Sequence, residues 1–162
     1  MKAQLVKYTE YNNWANKIIT DIISNLSEEQ IDKAQVSSFP SIRKTWYHIW
    51  DAQGIWMIRL HGETVTDWPS KNFKGTTSDA IDSFLNSSGE FAALIKGFNE
   101  EVIKNNIQYK NIEGKEFTNT IADIVMHVMN HSTFHRGQLI SMFREVGITK
   151  IPSTDFITYC RL

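Results

Sequence analysis

Three histidines, His127, His131 and His135, recur at every fourth position of the run HVMNHSTFHRGQL. Four residues of α-helix advance the side-chain direction by only about 40° beyond a full turn, so successive members stack on one face. A neutral imidazole offers a lone pair to a borderline cation such as zinc, nickel or iron(II), and two imidazoles one turn apart can share one ion. Both His127/His131 and His131/His135 meet this spacing, and His131 belongs to either pair. All three span about 80° of arc, too much for one ion to take them together from a straight helix. Periodicity leaves the choice open.

Two ligands do not complete such a site, because a catalytic ion usually has three protein ligands and one open position. The third ligand must come from a neighbouring element. His48 is the best candidate: it lies in KTWYHIWDAQGIW, flanked by aromatics. That setting directs it inward, where an unpaired polar group would cost stability. The plainer reading of a buried histidine is a hydrogen-bonded core residue, and the plainer reading of one HxxxH pair is a solvated helix face. Three histidines in register with a fourth inside an apolar helix are hard to explain by packing alone. Other chemistries find no motif. The chain has no Glu-x-x-His pair for a di-iron carboxylate bundle, no HExxH, no GxxxxGK[ST] and no Gly-x-Ser-x-Gly elbow.

Four segments with helical periodicity must position these residues. The first runs from about Ala3 to Asn25, with Leu5, Tyr8, Trp14, Ile18, Ile22 and Ile23 near the helical period. Ser27 and Gln30 have the spacing of a capping box for a short extra turn. The second segment follows Pro40, with Ser41 as N-cap, and reaches about His61 before Gly62 stops it. The third starts near Thr77 or Ser78, with Asp79 in its first turn, and presents Ile81, Phe84, Leu85, Phe91, Leu94, Ile95 and Phe98 to a core. The fourth runs from about Asn119 to Val146, ends at Gly147 and carries the histidine series.

Between Ile107 and Thr118 two short alternating runs joined around Glu113-Gly114 predict a small β-hairpin. The last residues, KIPSTDFITYCRL, read as an extended tail around Pro152 that lies back over the helices. The expected fold is all-α: one four-helix bundle over residues 1–162, with a short hairpin before the last helix and an extended C-terminal tail. Trp14, Trp46, Trp50 and Trp56 are expected to serve that core.

The composition agrees with a soluble globular chain: of 162 residues, 41% are hydrophobic and 22% charged, enough apolar material for a sizeable core. A net charge of −1 with scattered lysines speaks against nucleic acid as a partner. Cys160 is the sole cysteine, so no intrachain disulfide is possible and an inert thiol is expected. No segment approaches the roughly 20 apolar residues that cross a bilayer, and the N-terminus has no secretory pattern. The expectation is a cytoplasmic protein without membrane partners.

The run HVMNHSTFHRGQLISMFREVG resembles the last-helix motif of the DinB-like superfamily, which includes the YfiT-like proteins. YNNWANK, SIRKTWYHIWDAQGIWMIRLHG and PSTDFITY resemble further pieces of that family in the same order, so the likeness covers essentially the whole chain. Its most specific element is NHxxxHRGQ. The resemblance implies a four-helix bundle holding one divalent metal through three histidines, one on the second helix and an HxxxH pair on the last. By position these are His48, His131 and His135, which leaves His127 to line the pocket or support a ligand; apart from the likeness, His127 is a candidate proton relay. The resemblance also implies a homodimer. Its better-understood branches resemble metal-dependent transferases or isomerases that use low-molecular-weight thiols.

Three neutral ligands add no negative charge, so a divalent ion among them stays a strong Lewis acid able to lower the pKa of a bound water or thiol. The expected activity is that of a metal-dependent transferase or hydrolase on a small electrophilic substrate, with a low-molecular-weight thiol as a candidate cofactor. Asp51, one turn after His48, is a candidate to hydrogen-bond a ligand or substrate, with a structural pair as its plainer role. Arg136 lies about 100° around the helix from His135 and suits an inter-helix or dimer contact better than an anionic substrate. Gln138 projects within about 60° of His135, one turn on, and can support it or sit at the surface. The competing expectation is a non-enzymatic stress-response bundle with a structural metal, acting through protein contacts.

Overall fold

The computed structural model describes residues 1–162. Four long helices, α1 (Lys2–Ile23), α3 (Ile42–Leu60), α4 (Thr77–Gly97) and α5 (Ile121–Glu145), make the bundle. A short α2 (Glu28–Asp32) precedes α3, and a single 3-10 turn (Val102–Lys104) leads into the hairpin β1 (Asn106–Lys110) and β2 (Glu116–Thr120). No helix is long and apolar enough to cross a membrane.

The helix ends follow from local chemistry. Ser27 and Gln30 form the reciprocal capping box of α2, and the Ser41 side chain accepts from Lys44 N at the start of α3. Thr76 and Asp79 build a second box at α4. Helix α5 starts two residues later than its periodicity predicts, at Ile121 with Thr120 as N-cap. The reason is the antiparallel ladder: Asn119 pairs with Ile107 and Thr120 with Asn106, which holds both in strand geometry. Gly62 and Gly147 close α3 and α5 at φ +77° and +94°, a region that residues with a Cβ avoid. The tail differs from a wholly extended strap. It is irregular around Pro152, then turns into α6 (Phe156–Tyr159), whose aromatics pack on Tyr8, Tyr11 and Trp14 of α1. The Tyr11 hydroxyl donates to Thr154 O and ties the strap down.

Around the bundle the order is α1, α4, α3, α5, so α1 and α3 face each other across a diagonal. Two apolar clusters fill the interior. One, around Ile19, Trp46, Phe84 and Phe143, lies toward the α2 end. The other, around Leu5, Phe91, Ile95 and Val125, lies toward the hairpin. Between them each long helix contributes buried polar residues: Asn12 and Asn16, Gln53, Ser87 and Ser88, and Arg136. Their side chains bond one another, Asn12 to Gln53 across the diagonal at 3.2 Å and Asn16 to Ser88 of the adjoining α4 at 2.9 Å. Such a layer is tolerated in a core because its polar groups have partners, Arg136 Nε excepted.

Candidate metal centre

At the level of this polar layer, on the outer seam between α3 and α5, three imidazoles converge. One nitrogen from each of His48, His131 and His135 lies within 4.8 Å of the others. His48 Nε2 and His131 Nε2 are 2.9 Å apart, and the ring centroids are separated by 4.5 to 4.8 Å. Nitrogens held about 2.0–2.1 Å from one tetrahedral ion sit roughly 3–3.5 Å apart, so the His48–His131 pair is already near that spacing, and the set as a whole, spread over up to 4.8 Å, would draw together around an ion. No Asp, Glu or Cys joins the cluster.

The surroundings favour neutral imidazoles. Burial pushes His48 down to about 4, with the neighbouring His135 adding to the effect. His131 is pushed down to about 3, first by burial and then by His135, His48 and His127. His135 is also lowered by burial, against the opposing hydrogen bond to Gln138. Neutral rings keep the lone pair that a metal requires. His135 Nδ1 lies 2.7 Å from Gln138 Oε1, an oxygen that can only accept. The Nδ1 proton is thereby fixed, which turns the Nε2 lone pair toward the cluster. Gln138 in turn donates to Ser38 Oγ at 2.9 Å. His131 Nδ1 is buried without a partner.

The remaining residues singled out from the sequence go elsewhere. His127 lies one turn before His131, with centroids 5.8 Å apart, and faces the Trp56 ring at 5.4 Å. Desolvation and then the Arg59 guanidinium hold its pKa below the usual imidazole value. Asp51 does not touch the histidines: its two oxygens accept from Ser70 N and Ser70 Oγ at 2.7 and 2.6 Å, which latches the loop after α3. Burial raises its pKa, and those two bonds oppose the rise. Arg136 turns into the core, 1% exposed, with Nη1 donating to Asn12 and Asn16 of α1 and Nη2 donating to Thr133. Trp46 and Trp50 are buried in the core, whereas Trp56 lies on the seam beside His127.

Two aromatic walls of the cluster carry little signal in the sequence. Phe39 stacks on His48 at 4.1 Å and meets His135 edge-on at 5.6 Å, yet it comes from the aperiodic stretch before α3. Phe134 meets His135 edge-on at 4.9 Å and is 61% exposed. Its place next to His135 was the one available hint.

The chain and its fold have relatives. Protein DinB of Bacillus subtilis is 28% identical over 160 residues, spanning 94% of this chain and 91% of that protein. The structure of YfiT from Bacillus subtilis superposes with a TM-score of 0.70 at 14% identity, over 92% of this chain and 91% of YfiT. YfiT is described as a probable metal-dependent hydrolase with an unusual four-helix bundle topology. A DinB-like protein from Bacillus cereus superposes with a TM-score of 0.65 at 14% identity, over 90% of this chain and 94% of that one. At that identity the two structures speak to the fold alone. Residues 1–161 match the sequence model of the DinB family, and the chain belongs to that family.

Proposed function

We propose that the protein is a metal-dependent enzyme in which His48, His131 and His135 hold one divalent ion, zinc, nickel or iron(II), with a coordination position left for chemistry. The observation that carries this reading is the convergence of three imidazole nitrogens from two helices with no carboxylate or thiol to close the shell. The description of YfiT as a probable metal-dependent hydrolase supports it from outside. When bound, such an ion supplies Lewis acidity that makes a water or a low-molecular-weight thiol nucleophilic near neutral pH. The substrate class is a small electrophile, and the reaction is hydrolysis or thiol transfer.

The chain's own residues divide the remaining work. Gln138 keeps His135 in the tautomer that presents Nε2. Phe39 covers the His48 ring and keeps water off that side. His127, its pKa held below the usual imidazole value and one turn from His131, is placed to take a proton from the nucleophile or return one to the leaving group.

The test is elemental analysis of protein purified without added metal or chelator, beside His48→Ala and His131→Ala. One equivalent of metal in the parent and a sharp loss in both folded variants is the expected result. Stoichiometric metal in both variants would overturn the ligand set. A metal that is present but closed to added water or thiol ligands would point to the structural role.

A further inference from the structure

A cavity of about 430 Å³ opens between the C-terminal end of α3, the loop after it and the hairpin. It is separate from the three-imidazole cluster, and its volume suits a small polar ligand. Arg59 lines it with no carboxylate partner of its own, while the other cation there, Lys110, is paired with Glu116 at 3.3 Å. The guanidinium is held in place. It lies over the Trp56 ring at 4.6 Å and the Tyr109 ring at 4.9 Å, and one Nη donates to Lys110 O at 3.1 Å. Its Nε is buried without a partner. A flat cation held against two rings and left without a counter-ion is preorganised for an oxyanion. Glu63 also lines the cavity, but it is exposed to solvent that screens it.

The cavity is joined to the cluster by a wall of rings. From His48 the series runs to His131 at 4.8 Å, to His127 at 5.8 Å, to Trp56 at 5.4 Å and to Tyr109 at 4.9 Å. Arg59 follows His48 by eleven residues, three helical turns, which returns it to within about 20° of the same face and roughly 16 Å along the axis.

We propose that this cavity binds the anionic end of the substrate, a carboxylate or phosphate, with Arg59 as its anchor. The small electrophilic group of the proposed reaction is then the reactive end of a longer anionic molecule that lies along the His127–Trp56 wall and reaches the three imidazoles. This rests on the metal-dependent reading for the far end only; the anion site itself needs no metal.

The experiment follows backbone amide shifts by NMR while glutarate, and separately inorganic phosphate, is titrated into metal-loaded protein and into the Arg59→Gln, Arg59→Lys and His131→Ala variants. Glutarate or phosphate should move the amides of Arg59, Tyr109 and Lys110 in the parent and equally in His131→Ala. Arg59→Gln should weaken that binding about tenfold or more, and Arg59→Lys should recover part of it. Whichever anion binds more tightly identifies the group. The anchor is overturned if those amides stay still with both anions in parent and His131→Ala alike, or if Arg59→Gln binds as tightly as the parent. If His131→Ala retains metal while the cavity still binds anion, the ligand set fails and the anion site stands. Unchanged dispersion of the amide spectrum in Arg59→Gln shows that any loss is not unfolding.

Discussion

His135 and Arg136 are neighbours in sequence, yet they serve opposite regions of the molecule. His135 faces the seam between α3 and α5, where imidazole nitrogens are crowded together and His131 Nδ1 has no partner. Arg136 faces the diagonal polar layer, where both Nη groups donate to side-chain oxygens of neighbouring helix residues and the guanidinium lies 5.5 Å from the Tyr11 ring centroid. Burial lowers the Arg136 pKa, but the amide oxygens of Asn12 and Asn16 take up its hydrogen bonds. The seam is therefore a crowd of lone pairs facing one another, whereas the layer is a structural network in which Arg136 Nε alone lacks a partner. Helix α5 separates the two because a step of one residue turns the side chain by about 100°.

The largest expected effect that breaks this contrast is on metal. His131→Ala should abolish stoichiometric metal, while the metal-free variant stays within about 1 kcal/mol of the parent in urea unfolding, because the imidazole it removes is only part-buried and has an unsatisfied nitrogen. Arg136→Ala should do the reverse. It leaves Asn12 and Asn16 acceptors unpaired and opens a cavity, so stability should fall by about 2–4 kcal/mol, with metal content per folded molecule retained. Equal metal loss in both variants would show that the two regions are not separate.

Gln138→Ala sharpens the comparison within the seam. It should lower metal affinity by about 10–100-fold in competition with a chelator and leave the unfolding midpoint of the metal-free protein nearly unchanged. Acid acts on the same region. The folded values of about 4 for His48 and about 3 for His131 lie below that of an imidazole in the unfolded chain, about 6.5. Below that pH the unfolded chain binds protons that the fold excludes. The metal-free protein should therefore keep its full stability above about pH 6.5 and lose it progressively as pH falls toward 4 and then 3, measured by unfolding midpoints across that range. A flat profile would mean that the imidazoles are not held neutral. The smallest effect belongs to Thr133→Val, which removes one acceptor from Arg136 Nη2 and should cost about 1 kcal/mol with no change in metal affinity.

Much of the scaffold is legible locally. The Ser27–Gln30 box, the Ser41 cap and the stops at Gly62 and Gly147 each depend on residues within a turn or two of one another, so spacing alone reveals them. The start of α5 is less legible, because a partner strand at Asn106–Ile107 competes for Asn119 and Thr120. Gln138 is readable as a neighbour of His135 from its three-residue spacing, but its second bond, to Ser38, spans 100 positions. Phe39 has no periodic context at all, and its stacking on His48 could not be inferred.

The chain by itself determined the four amphipathic helices, the Ser41 cap, the stops at Gly62 and Gly147 and the imidazole stripe on the last helix, because helical period and capping act over a few residues. Only the tertiary structure decided which imidazoles approach His48, that Asp51 serves a loop and Arg136 the core, and that a cavity with an uncompensated cation lies beside the seam. Those outcomes depend on the order in which four helices surround one another, a choice made by burial of whole faces rather than by any local spacing.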